Sequence, residues 1–344
     1  MLKGKYTRTI RILTAAALII ALAAFSGCIT RRSSQNPAPD SADGPGSSPK
    51  PGTAEAERGS SKPSPATSIE PGLAGGDSGP GDDAPADEPA SYVYDETDDA
   101  EAADVPAVTD PPSEAGRPAS TGAKGKLAIV IDDFGYRNEA TSRILAIDEP
   151  LTCAILPDAR TTAQDGLDAY NAGKLVILHM PMEAIDGSKS KGDGFIRAGM
   201  DEDTVRAMLG EALEKVPMAE GISNHMGSRV SLDRAVLGAV IEEARDRGLF
   251  YLDSRTTSDT VGPEMARNIG AEAYINDIFI DGVDDAEYVK AKLWEAADRA
   301  LSEGQAVAIG HVKLSTAQAL EQVLPKMLEY GVELVFVDEL NPIV

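Results

Sequence analysis

Asp132 and Asp133 are adjacent carboxylates closing an apolar run, LAIVIDDFG, from Leu127 to Gly135. A short, mostly β-branched apolar run bounded by turn signals reads as a buried strand, and α/β folds place their chemistry at the C-terminal ends of such strands. A carboxylate pair there can bind a metal and supply a general base; the plainer role for either aspartate is to cap the helix that follows. The chain has three histidines, and His179, His225 and His311 each fall at the end of a short strand-like stretch, in KLVILH, GISNH and AVAIGH. One histidine in such a place is more often a hydrogen-bonded structural residue than a ligand, but three out of three point to a shared site. Glu183 and Asp253 also lie at strand ends. Imidazoles and carboxylates without a thiolate suit Zn²⁺, and less selectively Fe²⁺, Mn²⁺ or Ni²⁺. Three protein ligands with an open position would make such a site catalytic rather than structural.

Residues this far apart meet only if the strands are parallel and their ends converge. From Lys126 onward, strand-like runs alternate with amphipathic helical stretches, the signature of βαβ units. The strands fall at Leu127–Ile131, Leu151–Leu156, Lys174–Leu178, a very short one near Glu220–Arg229, Leu249–Leu252, Ala273–Asp281, Ala306–Ile309 and Glu333–Val337. The helices between them include one starting near Ser231. About eight strands in little over two hundred residues favour a deformed (β/α) barrel of seven to eight parallel strands over an open doubly wound sheet. The polar, glycine-containing stretch 186–199 reads as a substrate-contacting loop or a surface insertion. In AYINDIFID, Asn276, Asp277 and Asp281 read first as capping or solvent-exposed residues and second as substrate ligands.

The first 124 residues are of another kind. Residues 1–28 combine a basic start, an apolar stretch from Leu13 to Phe25 and Ser26-Gly27-Cys28, which has the anatomy of a lipoprotein-type signal with Cys28 lipidated. The alternatives are an uncleaved membrane anchor or a cleaved secretory peptide. All three place the C-terminal domain outside the cytoplasm, in the periplasm or on the cell surface, with the first two holding it at the membrane. Residues 29–124 are rich in Pro, Gly, Ser, Asp and Glu and cannot bury enough apolar surface to offset ordering entropy, so they read as a disordered tether. The domain proper is then 125–344. The chain's two cysteines offer no structural disulfide once Cys28 is lipidated, and Cys153 reads as a small buried hydrophobe. A net charge of −24 argues against nucleic-acid partners, whose phosphates demand basic patches.

LAIVIDDFGY, ILHMPME, ISNHMGSR, FYLDSRTT and AIGH, in this order, resemble the divergent branch of the polysaccharide deacetylase superfamily, over Lys126 to Val344. The resemblance implies a deformed (β/α) barrel among metal-dependent carbohydrate esterases acting on N-acetylated sugars. Carried over motif by motif, it makes Asp132 the catalytic base, Asp133 a metal ligand and His311 the general acid for the leaving amine. His179 matches the first of two ligand histidines spaced four residues apart, and Glu183 stands where the second would be. The third ligand is therefore His225 or Glu183, with Asp133, His179 and His225 preferred. Arg229 or Arg255 stands in for the classical arginine, clamping a substrate oxygen or pairing with a site carboxylate. Asp253 is the expected partner of His311, and DSRTT is expected to hydrogen-bond around the site. The implied function is an extracytoplasmic hydrolase, using a divalent metal such as Zn²⁺, that removes acetyl groups from cell-envelope polysaccharide or peptidoglycan-derived sugars. The replaced second histidine leaves open a glycan-binding or regulatory module with little catalysis.

Overall fold

The computed structural model describes residues 124–343; the signal-like segment and the expected tether lie outside the described residues. Among the described residues there are nine strands: β1 (Gly125–Phe134), β2 (Thr152–Ile155), β3 (Leu175–Met182), β4 (Gly221–Met226), β5 (Phe250–Asp253), β6 (Ala273–Ile275), β7 (Ile278–Phe279), β8 (Gln305–His311) and β9 (Val332–Val335). Seven α-helices alternate with them: α1 (Glu139–Leu145), α2 (Thr162–Asn171), α3 (Glu202–Lys215), α4 (Arg234–Asp246), α5 (Gly262–Ile269), α6 (Ala286–Glu303) and α7 (Leu314–Tyr330). Local chemistry sets their ends. The side chains of Asn138, Asp201, Asp233 and Asp285 accept backbone N–H bonds at the starts of α1, α3, α4 and α6, and left-handed glycines 270, 304 and 331 end α5, α6 and α7. The helix expected from Ser231 begins at Arg234 instead, because Val230–Leu232 forms a 3-10 turn and Asp233 supplies the cap.

All ladders are parallel, in the order β6-β5-β4-β3-β2-β1-β8-β7, with β9 beside β1. β8 runs along one edge of β1; β2 takes the C-terminal half of the other edge and β9 the N-terminal half. The expected sixth strand is two, and the break matters. β6 pairs with β5 at one end of the sheet and β7 with β8 at the other, yet only Asn276-Asp277 separates them. That step reaches at most roughly 11 Å, so the sheet curls until its edges nearly meet, a half-barrel rather than an open sheet.

Alternate strand residues feed two cores. Leu127, Ile129, Ile131, Cys153, Val176, Leu178 and Ile222 pack against the helices. Ala128, Val130, Ala154, Leu175, Ile177, Phe250, Leu252, Val307 and Ile309 fill the inside of the curl. The C-terminal segment adds Val337 and Leu340 to this inner core. Its contacts are with the N-terminal ends of the strands: Lys126 Nζ donates to Glu339 O at 2.8 Å, and Ile343 N to Ala273 O at 2.9 Å. The bottom of the curl is thus plugged, and the open end is where the strands' C-termini gather. Segment 186–199 is pinned there through Ile196, whose N–H donates to Pro181 O at 3.0 Å and whose carbonyl accepts from Glu183 N at 2.8 Å.

Asn276 and Asp277 tie the two edges together. Asn276 N donates to Asp253 O at 2.9 Å and its Nδ2 to Ser254 O at 3.2 Å, while Asp277 N donates to Val307 O at 3.0 Å and its Oδ2 accepts from Val307 N at 2.9 Å. Neither residue caps a helix; both bridge the two edges. Because Asn276 is buried, Asn276→Ala leaves Ser254 O and Ile278 N without their side-chain partners. Urea denaturation is expected to show a loss of about 1–3 kcal/mol in unfolding free energy.

Candidate metal centre

The alternation that builds the two cores also decides which strand-end side chains face inward. Ala128 and Val130 point into the curl, so Asp132 does as well; Leu175 and Ile177 do the same for His179, and Val307 and Ile309 for His311. Ile222 packs outward against the helices, so Ser223 and His225 face in. By the same count Asp133 should face the helices, yet it does not. Between β1 and β2 the pairing passes from Ile131–Cys153 to Phe134–Ile155, three residues on β1 against two on β2, and Asp133 at this bulge is left-handed, with φ 68°. A bulge re-aims a side chain, and Asp is among the few residues that tolerate this conformation.

Both carboxylates therefore reach one imidazole. His179 Nε2 lies 3.6 Å from Asp132 Oδ2 and 3.4 Å from Asp133 Oδ1, and His225 Nδ1 lies 3.2 Å from the same Asp133 oxygen. The two rings meet edge to face at 5.1 Å. His179 Nδ1 shares a 2.8 Å hydrogen bond with Ser223 Oγ on the neighbouring strand, and the tautomer protonated at Nδ1 leaves the Nε2 lone pair directed at the carboxylates. Asp132, His179 and His225 are 2%, 2% and 3% exposed, and Asp133 is half-buried. Burial pushes the Asp132 carboxyl up to about 8; His311 and His225 pull it down, and Asp133 and Asp281 add to the rise.

Asp133, His179 and His225 each offer a ligand atom within 4.8 Å of the others. Tetrahedral bonds of 2.0–2.2 Å give edges of roughly 3.3–3.6 Å, close to the 3.2 and 3.4 Å separations at Asp133 Oδ1. One carboxylate and two neutral imidazoles form a donor set that a borderline divalent cation accepts. Asp132 Oδ1, buried beside this set, accepts no hydrogen bond among the described residues, as suits a carboxylate kept for a ligand or water. The residues present fit a divalent metal.

His311 lies opposite Asp132 in the β1–β8 ladder. Its Nδ1 contacts Asp281 Oδ1 at 2.9 Å, its backbone N donates to Asp281 Oδ2 at 2.7 Å, and Thr316 Oγ1 donates to the same oxygen at 3.0 Å. Burial opposes ionisation of Asp281, but the His311 ring, its hydrogen bonds and Lys313 outweigh it and hold the carboxyl at about 2.

Asp281 thus takes the place expected for Asp253. Asp253 ends β5 on the helix-facing side, where Thr260 Oγ1 donates to it at 2.7 Å and Arg255 N at 2.8 Å. Strand parity and the β7–β8 pairing together single out Asp281, which follows β7. Glu183 is not in the cluster: its carboxylate accepts from Ala198 N at 3.0 Å and pairs with Arg229 at 3.5 Å, so it joins the β3 and β4 exits. Arg229 also donates to Ile185 O. Arg255 is exposed, with a left-handed backbone at φ 57°. Around it, Ser254 N donates to Asn224 Oδ1 and Thr256 Oγ1 to Met226 O, so DSRTT is bound to the strand exit that carries His225. Neither Asp132 nor Asp133 caps α1, a role taken by Asn138. Ser223 and Asn224 were visible only as polar neighbours of His225, without a sequence signal for their contacts.

Fold and donor set define a curled parallel α/β half-barrel with an Asp–His–His cluster of potential metal donors at its open end. The chain belongs to the divergent polysaccharide deacetylase family, whose model matches residues 129–341. The uncharacterized protein YibQ of Escherichia coli K12 is 31% identical over 200 residues, 58% of this chain and 62% of that protein, so the match spans about three-fifths of YibQ. An uncharacterized protein of Haemophilus influenzae is 31% identical over 207 residues, covering 60% of this chain and 74% of the relative. The crystal structure of an uncharacterized protein from Agrobacterium tumefaciens C58 shares the fold, with a TM-score of 0.60 and 22% identity over 65% of this chain and 92% of that one.

Two outcomes are expected. His225→Ala and Asp133→Ala each weaken Zn²⁺ binding by at least about tenfold in calorimetry, whereas Glu183→Gln leaves it unchanged. A carboxyl held at about 2 against an ordinary value near 3.9 stabilises the fold above pH 4, and this contribution fades as pH falls towards 2. Asp281→Asn is therefore less stable than wild type at pH 5, by on the order of 2 kcal/mol, and the gap in urea midpoints narrows at pH 2.5.

Proposed function

We propose that this chain is a metal-dependent hydrolase that removes acetyl groups from N-acetylated sugars of a cell-envelope polysaccharide or peptidoglycan fragment. The observation that carries the reading is the pairing of two devices across one ladder: the Asp133–His179–His225 set with Asp132 on β1, and the His311–Asp281 pair opposite it on β8. A divalent cation such as Zn²⁺, when bound, polarises an acyl oxygen and makes water more acidic. Asp133, His179 and His225 hold it. Asp132 faces the same space; its carboxyl, raised to about 8 by burial in the metal-free site, is ionised beside a divalent charge and then takes the proton from the attacking water. His311 delivers a proton to the departing amine, and Asp281, ionised at neutral pH, fixes the ring through Nδ1 and supports its protonated form. The buried walls keep competing water low and strengthen each of these interactions.

The proposal places the reaction outside the cytoplasm, with the domain held at the membrane through residues 1–28 and Cys28; the support for this is the signal-like sequence alone. The substrate is then a glycan of the envelope, and nucleic acid is not a partner of a chain with net charge −24.

Acetate release from N-acetylglucosamine oligomers and from peptidoglycan fragments tests the reading. With Zn²⁺ supplied, the wild-type chain is expected to release acetate. Asp132→Asn and His311→Ala are each expected to lower the rate by about 10²–10⁴-fold while retaining the metal. Glycan binding with no acetate release would instead mark the domain as a binding or regulatory module.

A further inference from the structure

We propose that Asp165, on α2 and away from the metal donors, is the positioning residue that locks the left-handed bulge at Asp133 and so sets how tightly the site holds its cation. This rests on the reading of Asp133, His179 and His225 as the ligand set. The chain at the end of β1 takes a positive φ at three places, 68° at Asp133, 141° at Gly135 and 50° at Arg137, two of them at non-glycine residues. Non-glycine residues adopt this region at a cost, and such a conformation persists only where the surroundings impose it.

Asp165 imposes it. Its side chain is fully buried, and one oxygen, Oδ2, accepts from Gly135 N at 3.0 Å, Arg137 N at 3.2 Å and Thr161 Oγ1 at 3.0 Å. Two of these donors belong to the loop leaving β1, so the carboxylate serves that loop rather than capping its own helix. Neighbouring bonds brace the same loop: Thr161 N donates to Gly135 O at 2.6 Å, and Leu156 N to Phe134 O at 2.9 Å. Arg137 closes over the outside, 2.7 Å from Asp168 and 3.8 Å from the second Asp165 oxygen. A buried carboxylate costs desolvation energy that an apolar side chain would not. Here it satisfies two backbone donors in a turn whose own dihedrals prevent regular pairing. Without it the bulge can relax towards regular strand geometry, which turns Asp133 to the helix face and away from His179 and His225.

Zn²⁺ titrations of the full chain followed by calorimetry test this, with urea midpoints of the metal-free proteins measured alongside. Asp165→Ala is expected to weaken Zn²⁺ binding about 10–100-fold, although no donor atom has been removed. Asp165→Asn, whose amide oxygen accepts the same backbone bonds, is expected to restore most of the affinity. A lowered urea midpoint with wild-type affinity in Asp165→Ala would make the residue merely structural and overturn the proposal. If Asp165→Ala does not fold, Thr161→Val decides: it strips one donor from Oδ2 at a partly exposed position, and a severalfold loss of affinity supports the proposal while none overturns it. Asp133→Ala separates the two levels of the argument. Wild-type affinity in that variant removes the ligand set itself, whereas lost affinity there with wild-type affinity in Asp165→Ala removes only the role of Asp165.

Discussion

Neighbouring side chains on a β-strand point to opposite faces, so two adjacent aspartates ordinarily cannot serve one site. The bulge at Asp133 removes that restriction, and the rest of the centre follows from it. One extra residue on β1 and one left-handed backbone bring Asp133 round to the face already occupied by Asp132. His179 then meets both carboxylates, and His225 meets the second. Had β1 continued regularly, Asp132 would be the one β1 carboxylate facing the two imidazoles.

The curl of the sheet supplies the second requirement. Side chains on β1, β3 and β4 and the His311–Asp281 pair on β8 and after β7 gather on the inner face of a sheet whose edges are drawn together through Asn276-Asp277. The C-terminal segment closes the opposite end with apolar side chains, so the polar groups concentrate at one mouth. Low exposure there has two consequences. It raises the Asp132 carboxyl, and it strengthens the interactions with the His311 ring, the hydrogen bonds and Lys313 that hold Asp281 ionised in spite of burial.

Glu183 shows how position alone can mislead. Four residues after His179 it occupies a place where the classical arrangement has a ligand, yet β3 ends at Met182 and the chain turns. Its carboxylate then meets Ala198 N and Arg229 instead of the cluster. The cluster is completed by His225, whose inward parity on β4 matches that of His179 on β3.

Much of this was legible in the residues. The alternation of apolar runs with amphipathic helices specified parallel βαβ units and favoured a deformed barrel over an open sheet, since each period is imposed locally by side-chain burial, and the strand ends of LAIVIDD, KLVILH and AVAIGH marked the polar face. Strand parity within a run such as Val307, Ile309 and His311 is also a property of the chain itself. What the sequence could not contain is pairing between distant segments. That Asp281 rather than Asp253 holds His311 depends on β7 lying beside β8, and that AYINDIFID is two strands on opposite edges depends on how far the sheet curls. The turn of Asp133 into the site depends on a register shift against β2 and on a carboxylate thirty-two residues away in the chain. Local propensity sets which face a residue prefers, whereas only the packed structure, by satisfying buried backbone donors at a strained turn, can hold one against that preference.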